Sequence, residues 1–291
     1  MNGAHPLGGG GLTDAVIEPV LPDYAGANVR GIIPALLGPH GAPLPSWFPT
    51  SAASSRQVVV LVVDGLGWGQ LQARLHLAPA MAAMAGQPIT TVAPSTTATA
   101  LTSITTGLTP GEHGLIGYRM EMAGEVLNVL RWATPGGDAR RAVVPSDAQP
   151  FRPFMGEAVP VVSKVELEGS AFTEAHLRGS RPMGWRTASG MAVQVGELLA
   201  AGERLVYAYY DGVDKIAHER GFGPYYDAEV VAADRLVADM LAVLPAGAAL
   251  VVTADHGQVH VGPRVIQPHP DVLACCRLQS GEGRFRWLHA R

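Results

Sequence analysis

Residues Val58 to Val63 read Val-Val-Val-Leu-Val-Val, an unbroken apolar run that stops at Asp64-Gly65. A strand with one face in water alternates polar and apolar side chains, so a run of this kind belongs to a strand covered on both faces. That is the condition of a sheet sandwiched between helices. Leu205 to Tyr210 and Ala249 to Thr253 have the same strand character, and helical stretches at Ser189 to Ala201 and Asp227 to Leu244 alternate with them. The alternation predicts an α/β fold, a doubly wound, mainly parallel central sheet with helices on both faces.

Before this pattern starts, residues 1–56 are rich in proline and glycine and read as an N-terminal extension and linker with one helix, Val29 to Leu37. Residues 57–291 read as the α/β domain. Within it a helix is expected from Gln70 to Ala85, a short strand from Ile89 to Val92, and a helix that begins within Ser95 to Thr99 and runs to Thr106. The many threonines there suit a helix N-terminus better than a helix interior. Residues 118–189 are less regular, with strand-like pieces at Val126 to Trp132 and Val159 to Val165, and are expected to form in part a small irregular cap beside the site.

With 291 residues, 47% of them hydrophobic, the chain can bury a sizeable core, and its formal charge of −4 supplies no basic field for a nucleic acid polymer. A small molecule is the expected partner. No run approaches the ~20 apolar residues of a membrane span, and no signal-peptide pattern opens the chain, so a soluble cytoplasmic protein without a membrane partner is expected. The two cysteines, Cys275 and Cys276, are adjacent and are expected as buried, reduced thiols. Composition leaves the oligomeric state open.

The candidate chemistry sits at strand ends, where open α/β sheets place their sites. Asp64 ends the first apolar run and is followed by Gly65, Gly67 and Gly69, a spacing that differs from the dinucleotide-binding fingerprint. Asp255-His256-Gly257 ends another, and an adjacent oxygen and nitrogen donor suits zinc or a similar divalent ion. Asp214 and His218, four residues apart, share one face of a helical turn; Asp211 competes with Asp214 for the ligand role. Thr96, Thr97 and Thr99 follow Pro94, where the first turn of a helix offers free N–H groups to an anion. A divalent cation would activate a threonine hydroxyl there as a nucleophile.

Taken in order, Val62-Val63-Asp64-Gly65, Pro94-Ser95-Thr96-Thr97 with Thr106-Gly107-Leu108 and Glu112-His113-Gly114, Asp214 with His218 and Gly221, and Thr253-Ala254-Asp255-His256-Gly257 resemble the alkaline phosphatase superfamily, in its nucleotide pyrophosphatase/phosphodiesterase branch. The resemblance covers about residues 57–260. It implies a hydrolase of phosphoric esters, a phosphodiester or nucleotide pyrophosphate, working through a covalent phospho-threonine on Thr97 with two divalent ions, zinc by preference. One ion would be held by Asp64, Thr97, Asp255 and His256 and the other by Asp214 and His218. Tyr118 stands where the branch places a phosphoryl-binding asparagine, which makes it the candidate substrate-binding residue. The superfamily also includes phosphomonoesterases, sulfatases and phosphomutases, and an inactive, metal-binding truncated relative is a further alternative. The branch closes its second ion site with a histidine in a His-Gly context well beyond the Asp-His-Gly motif, whereas His260, His269 and His289 have no such context. A C-terminally truncated member with an incomplete second site and a partly exposed sheet edge is therefore expected.

Overall fold

The computed structural model describes residues 19–39, 43–263 and 266–291. Its centre is a five-stranded, all-parallel sheet made of β1 (Gln57–Val63), β6 (Pro160–Lys164), β7 (Arg181–Trp185), β8 (Leu205–Tyr210) and β9 (Ala248–Thr253), in the order β7-β6-β8-β1-β9. Between β1 and β6 the chain makes a small antiparallel sheet from β2 (Arg119–Met122), β3 (Glu125–Asn128), β4 (Ala133–Thr134) and β5 (Gly137–Asp138). Beyond β9 it closes with the hairpin of β10 (Cys276–Gly281) and β11 (Arg286–Ala290). The expected α/β sandwich is therefore present.

The apolar run of β1 splits by alternation between two cores, as the twofold period of a strand requires. Val58, Val60 and Val62 join Leu205, Tyr207 and Tyr209 of β8 under the helix Thr97–Thr106, together with Ile104, Phe154 and Phe172. Val59, Leu61 and Val63 face the other way, onto Met191, Val195 and Leu199 of the helix Ala188–Ala200 and Val230, Val237 and Met240 of the helix Pro224–Val243. At about 1.5–3 kcal/mol for each fully buried aliphatic side chain, this two-sided burial makes β1 and β8 the rigid centre. Both point their carboxyl ends at the same rim of the sheet.

β9 differs. It pairs only with β1, and all six of its residues are half-buried. Along it runs a cleft of about 890 Å³, walled by Trp47, Phe48, Trp68, Leu71, Met84 and Val251 among others.

Several expectations need correction. The helix expected over Gln70 to Ala85 is broken into Trp68–Gln72, a single 3₁₀ turn Leu75–Leu77 and Pro79–Ala82, because Pro79 can start a helix but not continue one. Ile89 to Val92 forms no strand; Thr90 makes one isolated bridge to Asn28. Residues 118–189 supply the small antiparallel sheet and also β6 and β7 of the central sheet. Val29, Ile32, Ile33, Phe48 and Ala52 lie in the same core cluster as Val58 and Val60, so packing crosses the boundary drawn at residue 56. The first eighteen residues of that extension lie outside the described residues. Cys275 is exposed and Cys276 half-buried, contrary to the buried pair expected.

The threonine-rich helix also departs from expectation. Thr97 is its first residue, but Thr99, Thr102, Thr105 and Thr106 lie in its buried interior. Thr102 Oγ1 donates to Ala98 O (2.7 Å), Thr105 Oγ1 to Leu101 O (3.0 Å) and Thr106 Oγ1 to Thr102 O (2.6 Å). Each hydroxyl finds its acceptor one turn back, which is how a polar residue survives inside a helix.

Candidate active site

Three turns at the carboxyl rim of the sheet bring the candidate residues together. Asp64 leaves β1, Asp255 and His256 leave β9, and Thr97 opens its helix opposite them. The turns approach as closely as backbone allows. A Cβ at Gly67 would lie 2.6 Å from Gly257 Cα, and one at Gly65, whose φ is +74°, would lie 2.9 Å from Asp214 Cβ. Only glycine fits both places.

Around His256 Nε2 three oxygens are grouped: Thr97 Oγ1 at 3.1 Å, Asp64 Oδ1 at 3.5 Å and Asp255 Oδ2 at 3.5 Å. His256 Nδ1 lies 3.1 Å from Gly257 O. A carbonyl only accepts, so Nδ1 carries a proton, which leaves Nε2 as the nitrogen that faces the oxygens. Four ligands on a tetrahedral ion at ~2.0–2.1 Å stand about 3.3 Å from one another, and the three spacings measured from His256 Nε2 lie close to that figure.

The carboxylates are arranged to the same end. Asp64 Oδ2 accepts from Tyr209 OH, while Oδ1 is buried without a hydrogen-bond partner. Asp255 Oδ1 accepts from Gly65 N (3.1 Å) and His256 N (2.9 Å), while Oδ2 is likewise buried and unpartnered. Each acid thus has one oxygen tied back and one free oxygen near His256. Burial, and then the charges of Asp255 and Asp214, push the Asp64 carboxyl well above the ordinary range. Unpartnered buried carboxylate oxygens cost free energy that a cation would recover, so the residues present fit a divalent ion.

The helix Gly212–Arg220 adds Asp214 and His218, as the four-residue spacing predicts. His218 Nε2 lies 3.4 Å from Asp214 Oδ1, and this hydrogen-bonding partner raises the imidazole pKa. Asp214 also reaches the first group: one donor atom from each of Asp64, Asp214 and His256 lies within 4.8 Å of the others. Asp211 is removed from the competition, because Lys164 Nζ sits 2.5 Å from its Oδ1 and Lys215 Nζ 3.4 Å from its Oδ2. Tyr118 is not bonded into this group. Its hydroxyl accepts from Asn128 Nδ2 (2.7 Å) and its N–H donates to Glu282 (3.0 Å), and among the described residues no hydrogen bond joins it to Thr97, Asp64, Asp255 or His256. Of the three remaining histidines, His269 caps the short helix Pro270–Ala274 and His289 bonds Ser280 Oγ (2.8 Å).

Sequence reasoning missed Tyr209, Gln258 and Gln70. Tyr209 could have been suspected from the strand itself, since Tyr207 and Tyr209 share one face of β8 and the second comes level with the strand ends. Gln258 and Gln70 follow no spacing rule.

Fold and site together set a hydroxyl at a helix start opposite a group of Asp and His side chains at the carboxyl rim of a parallel sheet. The family model for type I phosphodiesterase/nucleotide pyrophosphatase matches residues 58–271, and the chain belongs to that family. Two solved structures of murine ectonucleotide pyrophosphatase/phosphodiesterase 5, one of them an inactive variant in complex with AMP, each match with a TM-score of 0.50 at 16% identity, over 69% of this chain. The match spans 57% of those chains, so this protein covers little more than half the length of the murine one. At that identity the likeness shows the fold. No curated protein sequence matches. Among the described residues no helix is long and apolar enough to cross a membrane.

Proposed function

We propose that the protein is a divalent-metal-dependent hydrolase of phosphoric esters, acting on a phosphodiester or nucleotide pyrophosphate through Thr97. The observation that carries this reading is the grouping of Thr97 Oγ1 and two unpartnered carboxylate oxygens within 3.1–3.5 Å of one imidazole nitrogen. In this reading Asp64, Thr97, Asp255 and His256 hold one ion, zinc by preference, and Asp214 and His218 contribute to a second. When bound, such ions lower the pKa of the hydroxyl and of the water and screen the anionic ester.

Thr97 Oγ1 forms a bond to phosphorus as the bond from phosphorus to the leaving oxygen breaks. The hydroxyl proton passes to solvent, and the leaving group departs as its alcohol or phosphate. Water then attacks the phospho-threonine, restoring the hydroxyl and releasing the phosphate monoester. No side chain of Thr96 caps the helix, so the N–H groups of its first turn are free to meet the phosphoryl oxygens. Tyr118, whose hydroxyl keeps its own proton to donate, is proposed as a further contact to the substrate. A nucleotide-like leaving group is supported by family membership and by the AMP complex of the murine relative.

The 3.1 Å contact invites a metal-free reading in which His256 is the general base for Thr97. A relay of that kind holds the imidazole by an acid on the nitrogen opposite the nucleophile. Here both carboxylates crowd the same nitrogen as Thr97, and the opposite one faces a backbone carbonyl, which favours the ion.

The test is hydrolysis of bis-p-nitrophenyl phosphate, the monoester and the sulfate, with and without zinc, alongside elemental analysis of the bound metal. The expected outcome is zinc-dependent hydrolysis of the diester that falls at least a thousandfold in Thr97→Ala while the variant melts as the wild type does. Equal turnover in Thr97→Ala would exclude the covalent route. Preference for the monoester or sulfate would move the chain to another activity of the superfamily.

A further inference from the structure

On its His218 side, Asp214 is short of further donors. His218 meets Asp214 at 3.4 Å but belongs to no group of three metal-type His, Cys, Asp or Glu side chains among the described residues. The side chain that does reach Asp214 is an amide. Gln258, the residue after Asp255-His256-Gly257, donates from Nε2 to Asp214 Oδ1, the same oxygen that His218 approaches.

Gln258 is held there by construction. Gln70, on the helix that follows β1, grips its backbone from both sides. Gln70 Nε2 donates to Gln258 O at 2.8 Å, and Gln70 Oε1 accepts from Gln258 N at 3.4 Å. The glycine contact between Gly67 and Gly257 brings those two segments together one residue earlier. The half-buried amide is therefore anchored through its main chain and left to turn only at its tip.

A primary amide offers two chemistries from one place. Its NH₂ group donates to a bare carboxylate, and its carbonyl oxygen, with two lone pairs, serves a cation as a hard neutral ligand. Towards the carboxylate of Asp214 the amide presents Nε2, its donor. With a cation shared by Asp214 and His218, a half-turn of the terminal torsion exchanges Nε2 for Oε1. We propose that Gln258 is the third protein ligand of the second ion site, joining Asp214 and His218, and that its amide inverts when the ion binds. The inference rests on the reading of Asp214 and His218 as ion ligands given above.

One carboxylate, one imidazole and one amide give this site a single negative charge, against two from Asp64 and Asp255 at the first. The second ion is then bound more weakly than the first. Its harder ligand set admits manganese as well as zinc.

The experiment is equilibrium dialysis of the full chain against zinc, with elemental analysis, for wild type, Gln258→Leu and Gln258→Glu, each checked for folding by its circular dichroism and melting. Expected are two ions in wild type, a second-ion affinity lowered tenfold or more in Gln258→Leu, and an equal or tighter second ion in Gln258→Glu, where a carboxylate replaces the carbonyl oxygen. If the amide serves only as a donor to Asp214, Gln258→Glu sets two carboxylates against each other and the second ion gains nothing from the carboxylate. An unchanged second affinity in Gln258→Leu, a weaker one in Gln258→Glu, or a single ion in wild type each overturns the proposal. Thr97-dependent hydrolysis in the same wild-type sample would leave the functional reading standing in any of those cases. Zinc bound equally by wild type and His256→Ala, without turnover, would sink that reading instead.

Discussion

The two ends of the helix Thr97–Thr106 treat their buried polar groups in opposite ways. At the far end the buried polar groups find partners: Ser103 Oγ lies 2.8 Å from His113 Nε2, His113 Nδ1 accepts from Leu115 N at 3.1 Å, and Thr105 Oγ1, with Leu101 O as one acceptor, also lies 3.0 Å from His176 O. His176 Nδ1 in turn donates to Phe172 O at 2.6 Å, and its ring stacks on Phe172 at 4.0 Å. At the Thr97 end two buried carboxylates each keep an oxygen with no partner. Under the proposed function these are the oxygens that would meet an ion, and leaving them without a partner costs stability in its absence.

The sharpest way to break this comparison is to neutralise the open end. Asp64→Asn keeps the shape and an acceptor for Tyr209 but removes a charge that burial and two neighbouring acids oppose. The expected result at pH 7.5, in metal-free buffer, is a fold more stable by on the order of 1–3 kcal/mol, with zinc binding and hydrolysis abolished. Thermal melts with and without zinc check both halves, since zinc should raise the wild-type midpoint and leave the variant unmoved. A variant destabilised without metal would mean that Asp64 is satisfied in a way its contacts do not reveal. Asp214→Asn is the control. Asp214 is half-buried and already bonded to Gln258, so its metal-free stability should change little.

A smaller effect is expected at Tyr209. Its hydroxyl holds one oxygen of Asp64 and leaves the other to face His256, so it orients the acid without meeting the ion. Groups of this kind contribute about 10–100-fold to metal affinity. Tyr209→Phe should weaken the first zinc by that factor while the fold persists on the remaining packing of the ring, as competition with a zinc chelator would measure. An unchanged affinity would show that packing alone orients Asp64.

The pattern of legibility follows from what sequence can encode locally. Val58 to Val63 gave away both its burial and its place in the sheet, because a strand covered on both faces is written in consecutive residues. Asp64, Asp255 and His256 were readable because strand ends are where such runs stop, and Asp214 with His218 because a helix face repeats every four residues. Pro160–Lys164 and Arg181–Trp185 were harder to place, since they are short strands set among prolines, arginines and glycines. The buried threonines misled for a related reason: their hydroxyls are satisfied by carbonyls one turn back, which composition does not show. Tyr209, Gln70 and Gln258 act on residues that are 145, 188 and 44 positions away. No local rule reaches across such separations.

The satisfied end of the helix supplies the last test, with its own pH signature. Burial lowers the pKa of both His113 and His176 from 6.5 to about 4. A histidine depressed in the fold contributes its stability in full above the unfolded value. The contribution is lost as the pH falls from 6.5 through the folded value, because the unfolded chain takes up protons that the folded chain refuses. At pH 5 the loss comes to on the order of 2 kcal/mol per histidine. His176→Leu removes one of the two titrations, keeping an apolar contact with Phe172 while giving up the hydrogen bond to its carbonyl. The variant should be less stable than wild type at pH 7.5, and the gap should narrow by about that amount at pH 5. The carboxyl cluster at the other end responds to acid in the opposite direction, since Asp64 is raised, but it does so equally in both proteins and cancels in the difference. Metal-free melts of the pair at the two pH values would measure the gap, and a gap independent of pH would mean that His176 is protonated in place. The two ends of the helix would then be alike, each holding a charge that its surroundings do not satisfy.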